Sequence, residues 1–266
     1  MRTKLWKTGA LALAASLLLA SAATAQKVSF KDPTGDDNGP GTYTYPTDAV
    51  YKRGSFDLTG LDVESKGGKV TFDVTMNSPL DDPWGMKTGF ATQMIFIFID
   101  TGEGGSTDAP GGLNVKFDEA SAWDKLVILS PQPTGRVKDE VSQKAAALQS
   151  NILVPTRVKG AGRTISGTVE LAGDPTQWGY QVIVQSNEGF PGAQDLLTRP
   201  VNEYEGQHRF GGGTDSNCDP HAIDILAGSG TGAADEVQAQ HDMLKYECNP
   251  DGTAKTGAVL KMVRKS

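Results

Sequence analysis

"SFDLTGLDVESKGGKVTFDVTM", residues 55–76, decides the fold class. In its second half, Lys69–Met76, the apolar residues Val70, Phe72, Val74 and Met76 alternate with Thr71, Asp73 and Thr75. A period of two puts each set on its own side of an extended chain, so this half predicts a half-buried strand. The first half reads as a second strand, and Lys66-Gly67-Gly68 supplies the turn between them.

The same grammar continues outward. "QMIFIFID" (Gln93–Asp100) is apolar at successive positions and predicts a central strand covered on both faces. "KLVILS" (125–130) and "GYQVIVQS" (Gly179–Ser186) behave alike, "RTISGTVEL" (163–171) alternates, and "GAVLKMV" (257–263) reads as a closing strand. Turn-forming clusters separate these runs at sandwich-like spacings. Two stretches favour helix: "KDEVSQKAAALQSNIL" (Lys138–Leu153) and "ADEVQAQHDMLKYE" (Ala234–Glu247), the latter with Val237, Met243 and Leu244 as inward residues. The chain predicts an all-β sandwich with one or two short helices, as one domain over residues 26–266.

Residues 1–25 are expected to be a secretory signal peptide. Arg2, Lys4 and Lys7 precede an apolar Ala10–Ala20 run, and Ala23-Thr24-Ala25 is a small-x-small cleavage site. No later stretch is long and apolar enough for a membrane span, so the mature chain is expected to be exported, to a periplasm, the cell surface or the extracellular space. Without the three leader cations the 25 basic residues become 22 against 32 acidic ones, a net charge of −10. That balance argues against nucleic acid and anionic membrane as partners and leaves carboxylates for cations. The two cysteines, Cys218 and Cys248, are expected to pair in an oxidising compartment. A zinc shell completed by His221 and His241 is the competing reading, although the spacing fits no standard finger.

"KDPTGDDNGPGTYTYPTD" (Lys31–Asp48) gathers aspartates among glycine and proline turns. Calcium takes six to eight hard oxygen ligands, and such turns converge carboxylates and carbonyls, so Asp32, Asp36 and Asp37 compose either a cation loop or a solvated turn. The segment lacks the spacing of an EF-hand. Enzyme signatures are absent: there is no Gly-x-Ser-x-Gly and no His-Glu-x-x-His, and Asp81-Asp82 reads as a surface loop rather than a hydrolytic pair. "HRFGGGTD" (His208–Asp215) has no phosphate-loop context and reads as a tight loop anchored by Phe210.

The run Gly-Asp-Asp-x-Gly-Pro-Gly-x-Tyr-x-Tyr-Pro, followed in order by "GSFDLTGLDVES", "VTFDVTMNSPLDDPW", "MIFIFIDTGEGGSTDAPGGLNVKF", "AWDKLVILS", "EGFPGA" and "HRFGGGTDSNCDPHAIDIL", resembles the C-terminal module of glucodextranase. These glucodextranase-like DOMON modules are related to family 9 carbohydrate-binding modules. The resemblance covers nearly all of the mature chain; the cysteine pair is a departure, and no glycosidase domain is attached. It implies a jelly-roll-type β-sandwich without catalysis that binds polysaccharide or a cell-envelope glycan, with surface-layer proteins as possible partners. It also implies calcium at Asp32, Asp36 and Asp37, with Asp48 a weaker candidate. Asp219 and Asp224 either form part of the same or a second site or cap turns and helices, and capping is the favoured reading. Trp84, Trp123 and Trp178 are the candidate sugar platforms, the last two also reading as core, whereas Tyr43 and Tyr45 are expected to pack over the acidic turn. Because DOMON relatives include haem binders, the competing function is a redox module, with Met76, Met86, Met94 and His208 as axial ligands. A structural subunit of a surface assembly is the other.

Overall fold

The computed structural model describes residues 25–216 and 218–265, so the expected leader lies, Ala25 apart, outside the described residues. The fold follows from two kinds of strand. In the first sheet, β1 (Gln26–Lys31), β2 (Leu58–Lys66) and β3 (Lys69–Met76) pair antiparallel. Gly67 and Gly68 both have positive φ, as a two-residue type I′ hairpin requires. Burial in β3 alternates strictly, with Val70, Phe72, Val74 and Met76 fully inside.

The second sheet starts with β4 (Gln93–Asp100), every residue of which is buried. After the short β5 (Val115–Phe117) come β6 (Lys125–Leu129) and helix α1 (Thr134–Lys144). Next, β7 (Ile152–Leu153) runs parallel to β6, and the hairpin β8 (Val158–Ala161) and β9 (Thr164–Glu170) returns to the first sheet beside β3. Strand β10 (Gly179–Ser186) pairs with the whole of β4, and β11 (Asp224–Ile225) adds an edge. Helix α2 (Glu236–Met243), the hairpin β12 (Glu247–Cys248) and β13 (Ala254–Thr256), and β14 (Ala258–Leu260) beside β5 complete the chain. The two main sheets have the orders β1-β2-β3-β9-β8 and β11-β10-β4-β6-β7.

Two cores result. Between the sheets, Phe30, Leu61, Phe72, Val74 and Ile165 meet Ile95, Ile97, Ile99, Val182 and Val184. Behind the second sheet, Met94, Phe96, Phe98 and Ile183 meet Val137 and Val141 of α1, Met243 and Leu244 around the end of α2, and Leu196 and Leu197 from a loop. The continuous apolar run of β4 is therefore a strand with cover on both faces, as in central strands of layered folds. The all-β sandwich is present, with two short α-helices among the described residues. Their bounds differ from expectation. The first helix starts at Thr134, four residues before the expected Lys138, and a 3-10 turn over Ala146–Asn151 replaces its expected second half. In α2 the buried positions are Glu236, Gln240 and Met243, so its inner face is partly polar and Val237 lies only at its margin.

Candidate functional site

The end of β1 and the strand β11 bring three carboxylates together. Asp32 follows β1 directly, Asp36 lies in the next turn, and Asp224 opens β11; one oxygen from each lies within 4.8 Å of the others. All three are at most 5% exposed, and Asp57, 1% exposed, stands beside them. Burial pushes all four carboxyls up, and the charge of their acidic neighbours adds to it; Asp36 rises to about 6.

Some of these oxygens are satisfied. Asp224 accepts from the Leu58 amide at 2.7 Å and the Ile225 amide at 2.8 Å, and Asp57 accepts from the Gly35 amide at 2.8 Å and Asn77 Nδ2 at 2.9 Å. Four are not: Asp32 Oδ2, both Asp36 oxygens and Asp57 Oδ1 are buried without a partner. An unpaired buried carboxylate oxygen is costly, and three of these four belong to residues of the cluster. The donor set is all oxygen, with no histidine or cysteine among the three clustered residues, which suits a hard cation such as calcium rather than zinc or copper. The residues therefore fit the ion that the sequence suggested.

The surroundings fix the cluster from the backbone outward. Gln240, fully buried on α2, donates to the carbonyls of Asp36 and Gly39 and accepts from the Ile225 amide at 3.0 Å. Gly39 has φ +60° and lies against the Tyr43 ring, where no side chain fits. At the head of α2, Glu236 accepts from the amides of Ser229, Thr231 and Gly232 and from the Ser229 and Thr231 hydroxyls. Burial opposes its ionisation, but these five donors win and hold its carboxyl at about 2, below the usual range. Glu236→Gln is expected to cost about 2 kcal/mol, because an amide cannot accept all five bonds. A depressed carboxylate stabilises above its unfolded value of 4.5 and loses that contribution as pH falls toward about 2, so acid melts of wild type and variant should converge there. Equal stability at pH 7 would contradict this role.

The structure redistributes the expected ligands. Asp32 and Asp36 stand in the cluster. Asp37 does not: its carboxylate accepts the Tyr45 hydroxyl, and only its charge reaches Asp36 and Asp57. Asp48 does not either; it is half-buried and accepts from the Val50 amide at 3.0 Å and Gln207 at 3.2 Å, a turn cap. Asp224, expected to cap a turn, is the third member of the cluster. Asp219 keeps the capping role, accepting from Thr214 Oγ1 at 2.7 Å and the Thr214 amide at 3.2 Å.

Two of the three candidate tryptophans are withdrawn from solvent. Trp123 is fully buried, edge-on to Phe98, and donates Nε1–H to the Asp108 carbonyl at 3.0 Å. Trp178 is 4% exposed beside Tyr180. Neither presents a face to a sugar. Trp84 is 38% exposed, with the Arg199 guanidinium 6.0 Å from its ring centre and Tyr51 and His208 edge-on. Its turn is held by Asp82, which accepts from the amides of Met86 at 2.7 Å and Lys87 at 2.8 Å, while Asp81 faces out to Lys52 at 2.6 Å. Phe210 anchors its loop against Phe56, Tyr45 and Tyr51.

The alternative metal sets come apart. Cys218 and Cys248 form a disulfide, so they offer no thiolates, and His221 is buried with Nδ1 accepting the Val201 amide at 3.2 Å. Met76 lies in the core between the sheets and Met94 in the core behind the second, so these two do not converge, whereas Met86 and His208 both line one cleft beside Trp84.

A family model described as the C-terminal binding module, SLH-like, of glucodextranase matches residues 28–262, and the chain belongs to that family. No curated protein matches the chain. Among the described residues no helix is long and apolar enough to cross a membrane.

Proposed function

We propose that this chain is an exported, non-catalytic module that binds polysaccharide or a cell-envelope glycan at the cell surface, in the periplasm or outside the cell, and that calcium stabilises it. The binding half is supported by membership, over residues 28–262, of a family described as a binding module of a glucodextranase. The SLH-like part of that description also favours attachment at a cell envelope, where surface-layer proteins would be neighbours.

The calcium half rests on the unpartnered buried oxygens of Asp32 and Asp36 beside Asp224. Calcium bound there would neutralise the converging carboxylates and tie the start of the chain to β11. The remaining residues position and enclose: Gln240 holds the turn by its carbonyls, and the Leu58 and Ile225 amides orient Asp224.

A glycan array and a pull-down on envelope fractions, each run in calcium and in chelator, test the reading. Retention on a glycan or envelope preparation is expected, and retention on none in either condition would sink the binding half.

A further inference from the structure

A cleft of about 260 Å³ opens beside Trp84, on the loops that follow β3 and β10. Trp84 and Phe190 both line it, and Phe190, at 95% exposure, is the most exposed large apolar side chain among the described residues. Exposed aromatics beside a largely apolar cleft with a few charged groups mark a candidate binding site. Their rings suit the C–H faces of a pyranose, and the volume suits one such ring rather than a long chain.

The charge in and around the cleft is unlike that of the chain. The whole sequence carries a net −7, yet two guanidinium groups meet the Glu188 carboxylate here and a third, Arg136, reaches the adjoining loop. Glu188 is held by Arg199 Nε at 2.9 Å and faces Arg209 at 3.9 Å, while its other oxygen accepts the Phe190 amide at 3.0 Å. Glu188 is thus spent on the wall of the cleft and on the loop that presents Phe190. Arg136 reaches the same loop, donating to the Gly189 carbonyl. Its neighbour Glu140, at 3.8 Å, is itself paired with Lys144 at 2.8 Å. The balance around the cleft stays positive. Arg136 and Arg209 keep side-chain exposures of 36% and 39%, so both can meet an incoming group.

We propose that this cleft takes a glycan residue bearing a carboxylate, of the uronic-acid type, with its ring on Trp84 and Phe190 and its acid toward Arg136, Arg199 and Arg209. A planar guanidinium matches a carboxylate in two-point geometry, which the half-exposed Arg136 and Arg209 supply, while Arg199, its Nε and Nη1 engaged by Glu188, Tyr51 and the His208 carbonyl, adds positive charge beside Trp84. The inference rests on the glycan-binding reading above and names its ligand class.

Calorimetric titration with trigalacturonate and with isomaltotriose, at equal free calcium, tests it. Wild type should bind trigalacturonate about tenfold or more tightly than the neutral trisaccharide. Trp84→Ala and Phe190→Ala should each weaken trigalacturonate binding about tenfold, because they remove the stacking faces and leave the core intact. The Arg136→Gln/Arg209→Gln double variant should lose the acid preference, and about 0.5 M salt should weaken the acidic ligand selectively. Melting curves of the variants should match wild type, since all four side chains are at least one-third exposed. Equal affinity for the two trisaccharides, or a preference that survives the double variant, overturns the acid specificity. Unchanged binding in both aromatic variants overturns the cleft. A glycan array that retains the protein only on neutral glycans overturns this inference and leaves the broader reading standing; no retention on the array or on any envelope fraction removes both.

Discussion

Chelation of the proposed calcium is expected to lower the Tm by about 5–10 °C. Calcium held at about a hundred times its dissociation constant contributes about 2.7 kcal/mol to the native state, and each kcal/mol is worth about 2–4 °C in a chain of this size. The source is the cluster of Asp32, Asp36 and Asp224, where buried like charges repel without a cation between them. Asp36→Asn is the sharper test. Both Asp36 side-chain oxygens lack donors, so the amide disrupts no hydrogen bond, whereas in Asp224→Asn it would face the Leu58 or Ile225 amide with a second donor. The Asp36→Asn protein should melt at the same temperature with and without chelator and, in chelator, at or above wild type, because one repelling charge is gone. A variant that still gains several degrees from calcium would place the ion elsewhere.

The pH dependence has a definite sign. Burial pushes the Asp36 carboxyl up to about 6 from its ordinary 3.8, so without the ion its protonated form favours the native state. In the chelated protein this group adds stability as pH falls from about 6 toward 3.8. Protons and calcium compete for the same oxygens, so the gap between the calcium and chelator melting curves should close as pH falls through about 6. His221, pushed down to about 4 first by burial and then by Arg209, acts the other way on both curves, losing stability between 6.5 and about 4. The difference between the curves, rather than either curve, is therefore the readout.

Breaking the disulfide has the second large effect. Cys218–Cys248 closes a loop with a sequence separation of 30 residues, worth about 3–4 kcal/mol on the chain-entropy account and about 10 °C in Tm. The closed segment contains Asp219, His221, Asp224, Glu236 and Gln240, so it carries one carboxylate of the cluster and the helix that holds the opposing turn. The Cys218→Ser/Cys248→Ser protein should melt about 10 °C lower and still recover several degrees with calcium. A loss below about 1 kcal/mol would show that α2 is fixed by Gln240 and Glu236 alone.

What the sequence revealed depended on how local the cause was. The strand character of Lys69–Met76 and Gln93–Asp100 follows from side-chain alternation within each run, and both strands appear with the expected bounds. Trp123 and Trp178 lie just before strands, a position that already pointed to core. The cluster was half legible. Asp32 and Asp36 stood out among glycines and prolines, but Asp224 sits in a two-residue strand with no periodicity, and only the pairing of β10 with β11 brings it across. Nothing local separates Asp36 from Asp37; the Tyr45 hydroxyl takes one, and burial takes the other. The start of α1 was hidden because Pro133 and Gly135 flank its first residue and mask its periodicity. Phe190 was hidden in the same way, between Gly189 and Pro191 in a loop whose exposure has no signature in composition.

The unequal cover of the two sheets sets where the chain can change. In β3 every second side chain stands clear of the core, so substitutions at Thr71, Asp73 and Thr75 meet at most cross-strand partners such as Thr168 and Ser166. In β4 no position has that freedom, since Phe96 and Phe98 pack behind the sheet while Ile95, Ile97 and Ile99 pack between the sheets. Mutational tolerance should therefore oscillate residue by residue along β3 and stay uniformly low along β4, and variation among relatives, where it accumulates, should settle on the first sheet's outer face.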